Sequence, residues 1–108
     1  MEYQFIIKTL NPFNEEVLLS ESVWNEILIK HPEVNEYLHI IEMTVHSPDI
    51  IKSSIHDIRT KLYYTYYPEI YGGKYLCVVI KSVDKNYIST VYITNAITKG
   101  GKIIWKKQ

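Results

Sequence analysis

The sequence has 108 residues, 46% of them hydrophobic, and a formal net charge of zero, which predicts one compact domain over residues 1–108 with a single core. No apolar run approaches the roughly 20 residues that a membrane-spanning helix needs, and the acidic N-terminus does not resemble a signal peptide, so a soluble, cytoplasmic protein without a membrane partner is expected. The lone cysteine, Cys77, excludes a disulfide framework and a cysteine-based zinc site.

The N-terminal segment predicts a β-hairpin followed by two helices. EYQFIIKTL and EEVLLS are typical of short strands, and NPFN between them is typical of a turn. Apolar residues then recur at spacings of three and four, with Ser20 or Ser22 as the cap and Pro32 as the limit of this first helix. Pro32 can open a second helix, which Pro48 ends. Its apolar stripe consists of Val34, Tyr37, Leu38, Ile41 and Val45.

The remainder of the chain predicts a sheet. After the connector SPDIIKSSI, the period changes to two in RTKLYYTYY, KYLCVVIKSV and YISTVYIT, which the loops PEIYGG and DKN join. GKIIWKK is expected to add an edge strand. The expected fold class is therefore α+β, with two N-terminal helices packed on one face of an antiparallel sheet of about four strands.

The histidines on the two predicted helices have different surroundings. His39 and His46 project away from the apolar stripe of the second helix, so they are expected in solvent. No HExxH-type pattern or third ligand accompanies them, and no metal site is predicted. His31 projects on the buried side of the first helix, so it should be a hydrogen-bonded core histidine or a functional residue.

Charge and tyrosine are distributed unevenly along the chain. Residues 1–54 hold nine acidic and three basic residues, whereas residues 55–108 hold three acidic and nine basic residues. Eight of the ten tyrosines lie between Tyr63 and Tyr92, in the basic half. Cationic side chains interleaved with aromatic ones are typical of protein surfaces that bind nucleic acids. The cations neutralise phosphates and the aromatic rings stack on bases. Tyrosines are also common in ordinary strands and lysines at sheet edges, so both interpretations stay open.

The order of several motifs resembles a nuclease superfamily. VWNEILIKHPEV, PDII, LYYTYY, YLCVVIKSV, ISTVYIT and KGGKIIW resemble, over about residues 20–105, the phage-type domains of the barnase, EndoU, colicin and RelE-like (BECR) superfamily. The resemblance implies a toxin or phage-associated effector that cleaves RNA without a metal or other cofactor, with a cognate antitoxin or immunity protein as a candidate partner. Relatives often carry a histidine-isoleucine pair where this chain has Glu26 and Ile27.

Metal-free RNA cleavage requires a base for the 2′-hydroxyl proton, an acid for the 5′-oxygen and positive charge on the phosphate. His31 could be base or acid because histidine titrates near neutral pH, and Glu33 or Glu26 could orient it or act as the base instead. The candidate catalytic residues are His31, Glu33, Lys81 and Thr90. The candidate nucleic-acid-binding residues are Arg59, Lys61, Tyr63, Tyr92 and Lys99.

Simpler interpretations remain for these residues. His31 could be a helix-end histidine bonded to a backbone carbonyl, Lys81 a solvated charge beside a turn, and Thr90 and Tyr92 ordinary strand residues. Two other functions also remain. The chain could be a catalytically degenerate relative that binds RNA, or a protein-interaction module, including a homo-oligomer, that associates through its oppositely charged halves.

Overall fold

Residues 4–108 of the chain are described by a computed structural model, in which seven strands form one sheet and two α-helices pack against it. The strands are β1 (Phe5–Leu10), β2 (Glu16–Ser20), β3 (Ile50–Ser53), β4 (Thr60–Tyr67), β5 (Lys74–Ser82), β6 (Asn86–Thr94) and β7 (Ile103–Lys106). The helices are α1 (Glu21–Lys30) and α2 (Leu38–His46), joined by a 3-10 helix (Pro32–Tyr37). Positions 2 and 3 of the predicted first strand lie outside the described residues.

The strands are arranged in the order β1-β2-β6-β5-β4-β3-β7. Neighbouring strands are antiparallel except β2 and β6, which pair in parallel through Val17 with Asn86 and Leu18 with Tyr87. The predicted sheet is therefore wrong in two respects, since it has seven strands rather than about four and is mixed rather than purely antiparallel. The β2–β6 pairing joins residues about 70 positions apart, so no local pattern indicates it.

Strand β3 lies in the segment that was predicted to be a connector. Its Ile51 is fully buried, and Lys52 is only 7% exposed. The Lys52 ammonium donates to the carbonyl oxygen of Thr98 at 2.6 Å. A buried lysine in a strand of four residues interrupts the apolar pattern, which explains why sequence periodicity did not indicate β3.

Both helices pack on one face of the sheet, as predicted. Ser20 caps α1, because its hydroxyl oxygen accepts from the N–H of Val23 at 3.2 Å. None of the helices in residues 4–108 is long and apolar enough to cross a membrane. The core under the helices includes Trp24, Ile27, Val34, Ile41, Val45, Ile51, Tyr63, Leu76, Val78 and Val91. Each such large apolar side chain stabilises the fold by roughly 1.5–3 kcal/mol when fully buried.

The opposite face of the sheet is crossed by residues 95–102, which we call the crossover segment. Four successive antiparallel pairings separate β6 from β7, so the two strands are parallel and the chain must cross the sheet between them. The N–H of Thr98 donates to the hydroxyl oxygen of Tyr64 at 3.4 Å, and its carbonyl accepts from Lys52. Near β7, the N–H of Ser53 donates to the carbonyl of Lys102, and the N–H of Lys102 donates to the Ser53 hydroxyl. These bonds fix the crossover segment over β3 and β4.

Candidate functional site

His31 lies at the C-terminal cap of α1, beside β6. Its backbone N–H donates to the carbonyl of Ile27 at 2.7 Å, and its φ of −134° takes the chain out of the helical path. The helical projection that predicted a buried side chain therefore does not apply, and the His31 side chain is 33% exposed. The interpretation of His31 as a core histidine is wrong.

The His31 ring contacts a carboxylate and a tyrosine ring. Its Nδ1 is 3.3 Å from Oε2 of Glu33, and its centroid is 6.3 Å from that of Tyr92, with the planes at 37°. When Nδ1 carries a proton, it donates to Glu33, and Nε2 is left to exchange a proton with another molecule. We call His31 and Glu33 the histidine–carboxylate pair.

Tyr92 connects this pair to a polar cluster within the sheet. Tyr64, Cys77 and Tyr92 are register partners on β4, β5 and β6, so their side chains lie next to one another on the crossover face. Burial raises the pKa of Cys77 to about 11 and raises the pKa of Tyr92 well above its usual value. Both groups are therefore neutral at physiological pH, so Tyr92 offers His31 an aromatic ring and no phenolate.

Tyr92 also lines a cavity of about 240 Å³. It is enclosed by the crossover segment, the loop that follows β3, and the sheet below them. No sequence signal indicated it, because its walls come together only when the crossover segment traverses the sheet. Its lining residues include Ser54, His56, Leu62, Tyr92, Thr98 and Gly100.

Thr90 and Lys81 lie on the same face of the sheet as Tyr92 but at increasing distance from the histidine–carboxylate pair. Thr90 precedes Tyr92 by two residues on β6. Lys81 is four residues along β5 from Cys77, the register partner of Tyr92, which corresponds to roughly 13 Å at about 3.3 Å per residue. The predicted catalytic residues therefore form one line along the sheet and do not converge on one point.

Lys81 belongs to a different group of charges, at the far end of the sheet. Its ammonium is 3.4 Å from Oδ2 of Asp57. Asp57 also accepts from the N–H of Arg59 at 3.0 Å and from the hydroxyl of Thr60 at 3.1 Å. The bond from Arg59 N–H lowers the pKa of Asp57 most, followed by that from Thr60, with a smaller contribution from Lys81. This network organises the turn into β4.

The predicted nucleic-acid-binding residues lie on both faces of the sheet. Tyr63 faces the helices, is only 3% exposed and accepts a hydrogen bond from Asn11 at 3.2 Å, so its ring is not accessible to a base. Lys61 lies on the same face as Tyr63, whereas Tyr92 lies on the crossover face. Arg59 and Lys99 are both exposed, in the loop before β4 and in the crossover segment. The cations and tyrosines of the basic sequence half are thus divided between the two faces of the sheet.

The histidines of α2 are exposed, as predicted. His39, Glu42 and His46 line a shallow cavity of about 410 Å³ beside β1. The Nδ1 of His46 is 2.9 Å from the carbonyl oxygen of Leu10, so this nitrogen donates to the backbone. Within residues 4–108, no three His, Cys, Asp or Glu side chains are grouped so that they could hold a metal ion.

Comparison with known proteins does not identify a family. No family model, no curated protein and no solved structure matches this chain. The similarity to BECR nucleases therefore depends on the order of the motifs alone. The function of the chain has to be inferred from the geometry around His31.

Proposed function

We propose that this protein is a metal-independent ribonuclease-type domain in which the histidine–carboxylate pair transfers the proton. One observation supports this more than any other: the His31 imidazole is oriented by Glu33 at 3.3 Å and packed against Tyr92, yet one-third of its side chain is exposed. Attack by the RNA 2′-hydroxyl requires such a group, able to exchange a proton near neutral pH. Nε2 of His31 would accept the 2′-hydroxyl proton as the 2′-oxygen bonds to phosphorus, and Glu33 would stabilise the imidazolium that forms. The imidazolium would return that proton to the 5′-oxygen as the bond between phosphorus and the 5′-oxygen breaks.

The remaining polar residues of the crossover face would bind the RNA strand away from the reacting phosphate. Lys81 lies roughly 13 Å along β5 from Cys77, the register partner of Tyr92, so it would contact a different phosphate from the one that reacts. Thr90 lies between Lys81 and the histidine–carboxylate pair, and Lys99 lies in the crossover segment. Under this proposal Lys81→Ala raises KM more than it lowers kcat, because the contact is made equally before and during the reaction.

The same geometry suggests how an inhibitor would act. An antitoxin or immunity protein that covers the edge of β6 would exclude RNA from His31 without altering the fold. We include such a partner in the proposal, as the resemblance implies.

Cleavage of total cellular RNA in EDTA tests the proposal, with the products scored for 2′,3′-cyclic phosphate ends. His31→Ala should lower the rate by about 10²–10⁴-fold, the usual contribution of a general acid or base. Glu33→Gln should give a smaller loss, since it leaves the imidazole in place. His39→Ala is the matched control, because His39 is an exposed histidine on α2, and it should cleave like the wild type. Circular dichroism checks that all three variants are folded.

Two results would contradict the proposal: absence of cleavage by the wild type, or equal activity of His31→Ala and His39→Ala. A second candidate, an RNA-binding protein without catalytic activity, is favoured by the distance of Lys81 from the pair. It predicts that the wild type binds single-stranded RNA in a salt-dependent way and yields no cyclic phosphate. In that case Lys81→Ala and Lys99→Ala should weaken binding, while His31→Ala should not.

A further inference from the structure

The outer edge of β7 has no partner strand among residues 4–108. The inner edge pairs with β3 in antiparallel fashion. An unpaired edge presents a row of backbone N–H and C=O groups that can add another strand. On this strand two large apolar side chains are exposed, Ile103 at 57% and Ile104 at 39%.

Apolar surface flanks β7 on both faces of the sheet. On the helix face, the apolar side chains of Ile104 and Phe13 line a cavity of about 480 Å³, together with polar residues that include Glu15 and Lys61. On the crossover face, Ile103 is the register partner of Lys52, and Ile55, 68% exposed, lies beside Gly100. A strand that pairs with β7 would direct alternate side chains to the two faces, so one set would lie beside Ile104 and Phe13 on the helix face and the other set beside the crossover segment.

The segment of the chain that contains β7 is positively charged. Residues 95–108 contain four lysines and no Asp or Glu, namely Lys99, Lys102, Lys106 and Lys107. Pairing of two copies through β7 would bring these lysines together, which opposes association. An incoming strand with carboxylates would instead be complementary.

We propose that the free edge of β7 binds an extended segment of a partner protein in which acidic and apolar residues alternate. The segment adds to the sheet as an eighth strand, with main-chain hydrogen bonds supplying affinity and Ile103, Ile104 and the lysines supplying selectivity. The proposal does not depend on the ribonuclease activity, because β4, β5 and β3 separate β7 from β6, where His31 lies.

A synthetic probe tests this surface directly: a fluorescein-labelled peptide of about six residues in which Glu alternates with Ile or Val. Fluorescence anisotropy of the full chain should show saturable binding that weakens at about 0.5 M salt. Ile104→Glu should weaken binding by at least about tenfold, because it places a carboxylate against the apolar side chains of the peptide. The same peptide with N-methylated backbone nitrogens should not bind, since it cannot pair with β7.

Leu10→Glu is the matched control variant. Leu10 lies on β1, the other outer strand of the sheet, and its exposed fraction of 46% is similar to that of Ile104. Leu10→Glu should bind the peptide as the wild type does. Three results would overturn the proposal: no saturable binding, equal loss in Ile104→Glu and Leu10→Glu, or undiminished binding of the N-methylated peptide. Sedimentation showing a dimer that Ile104→Glu dissociates would assign the edge to a second copy instead.

Discussion

Gly101, at the end of the crossover segment, has a backbone conformation and a neighbour that only glycine tolerates. Its φ is +79°, and a Cβ there would lie 2.0 Å from the carbonyl oxygen of Ser53. Ser53 cannot withdraw on its own, because its N–H and hydroxyl both bind Lys102. Gly101→Ala thus adds the strain of a positive φ, about 1–2 kcal/mol, to the weakening of two hydrogen bonds at about 1 kcal/mol each. We expect the free energy of unfolding to fall by about 3–4 kcal/mol.

Gly72→Ala separates the two contributions. Gly72 has a φ of +77°, but a Cβ there would meet no heavy atom within 4 Å, so only the strain of about 1–2 kcal/mol should appear. Urea unfolding followed by tryptophan fluorescence measures both variants, with the buried Trp24 as the main probe. In thermal unfolding each kcal/mol should lower Tm by about 4–8 °C in a domain of this size. Equal destabilisation by the two substitutions would refute the close approach of Gly101 to Ser53.

Two further predictions concern titratable groups. Cys77 is fully buried and its pKa is raised to about 11. At pH 8 a thiol reagent should therefore modify it only when urea unfolds the protein. Rapid labelling of the native protein would contradict the burial of Cys77. Asp57 has a lowered pKa in the folded state, so its contribution to stability is present above about pH 4 and is lost as the pH falls through the folded pKa. The Asp57→Asn variant should therefore lose less stability than the wild type when the pH is lowered below about 4, as measured by urea unfolding. If the free energies of unfolding of the two proteins fell equally with pH, the result would argue against the network around this carboxylate.

Local patterns were sufficient to predict most helices and strands. The Ser20 cap, the Pro32 break and the alternation of β4, β5 and β6 each arise from interactions among near neighbours in the chain. The second helix was predicted as one element from its apolar stripe, but the structure divides it into a 3-10 helix and α2, because Pro32 starts a tighter turn. The order of the strands in the sheet depends on pairing between residues that are far apart in the sequence, so local patterns could not predict it.

The candidate site shows the same division between local and distant information. His31 and Glu33 are two residues apart, so their contact follows from one turn of chain. The contact of His31 with Tyr92 depends on where β6 lies relative to α1, and the separation of Lys81 depends on the register of β5 and β6. Lys61 and Tyr63 are two residues apart on β4, so the alternation of a strand places them on one face. It could not predict that the helices would cover that face.

The unequal charge of the two sequence halves does not divide the molecule into two oppositely charged halves. In the sheet, β1, β2 and β3 come from the acidic half of the sequence, and they flank β6, β5 and β4 from the basic half on both sides. A charge difference does exist between the helical region, where residues 21–46 hold five carboxylates and one lysine, and residues 95–108 with their four lysines. An acidic peptide would therefore be repelled from the helices and attracted to the side of the crossover segment. If copies of the chain associate through opposite charges, the complementary regions are therefore the helical region of one copy and residues 95–108 of the other, rather than the two sequence halves.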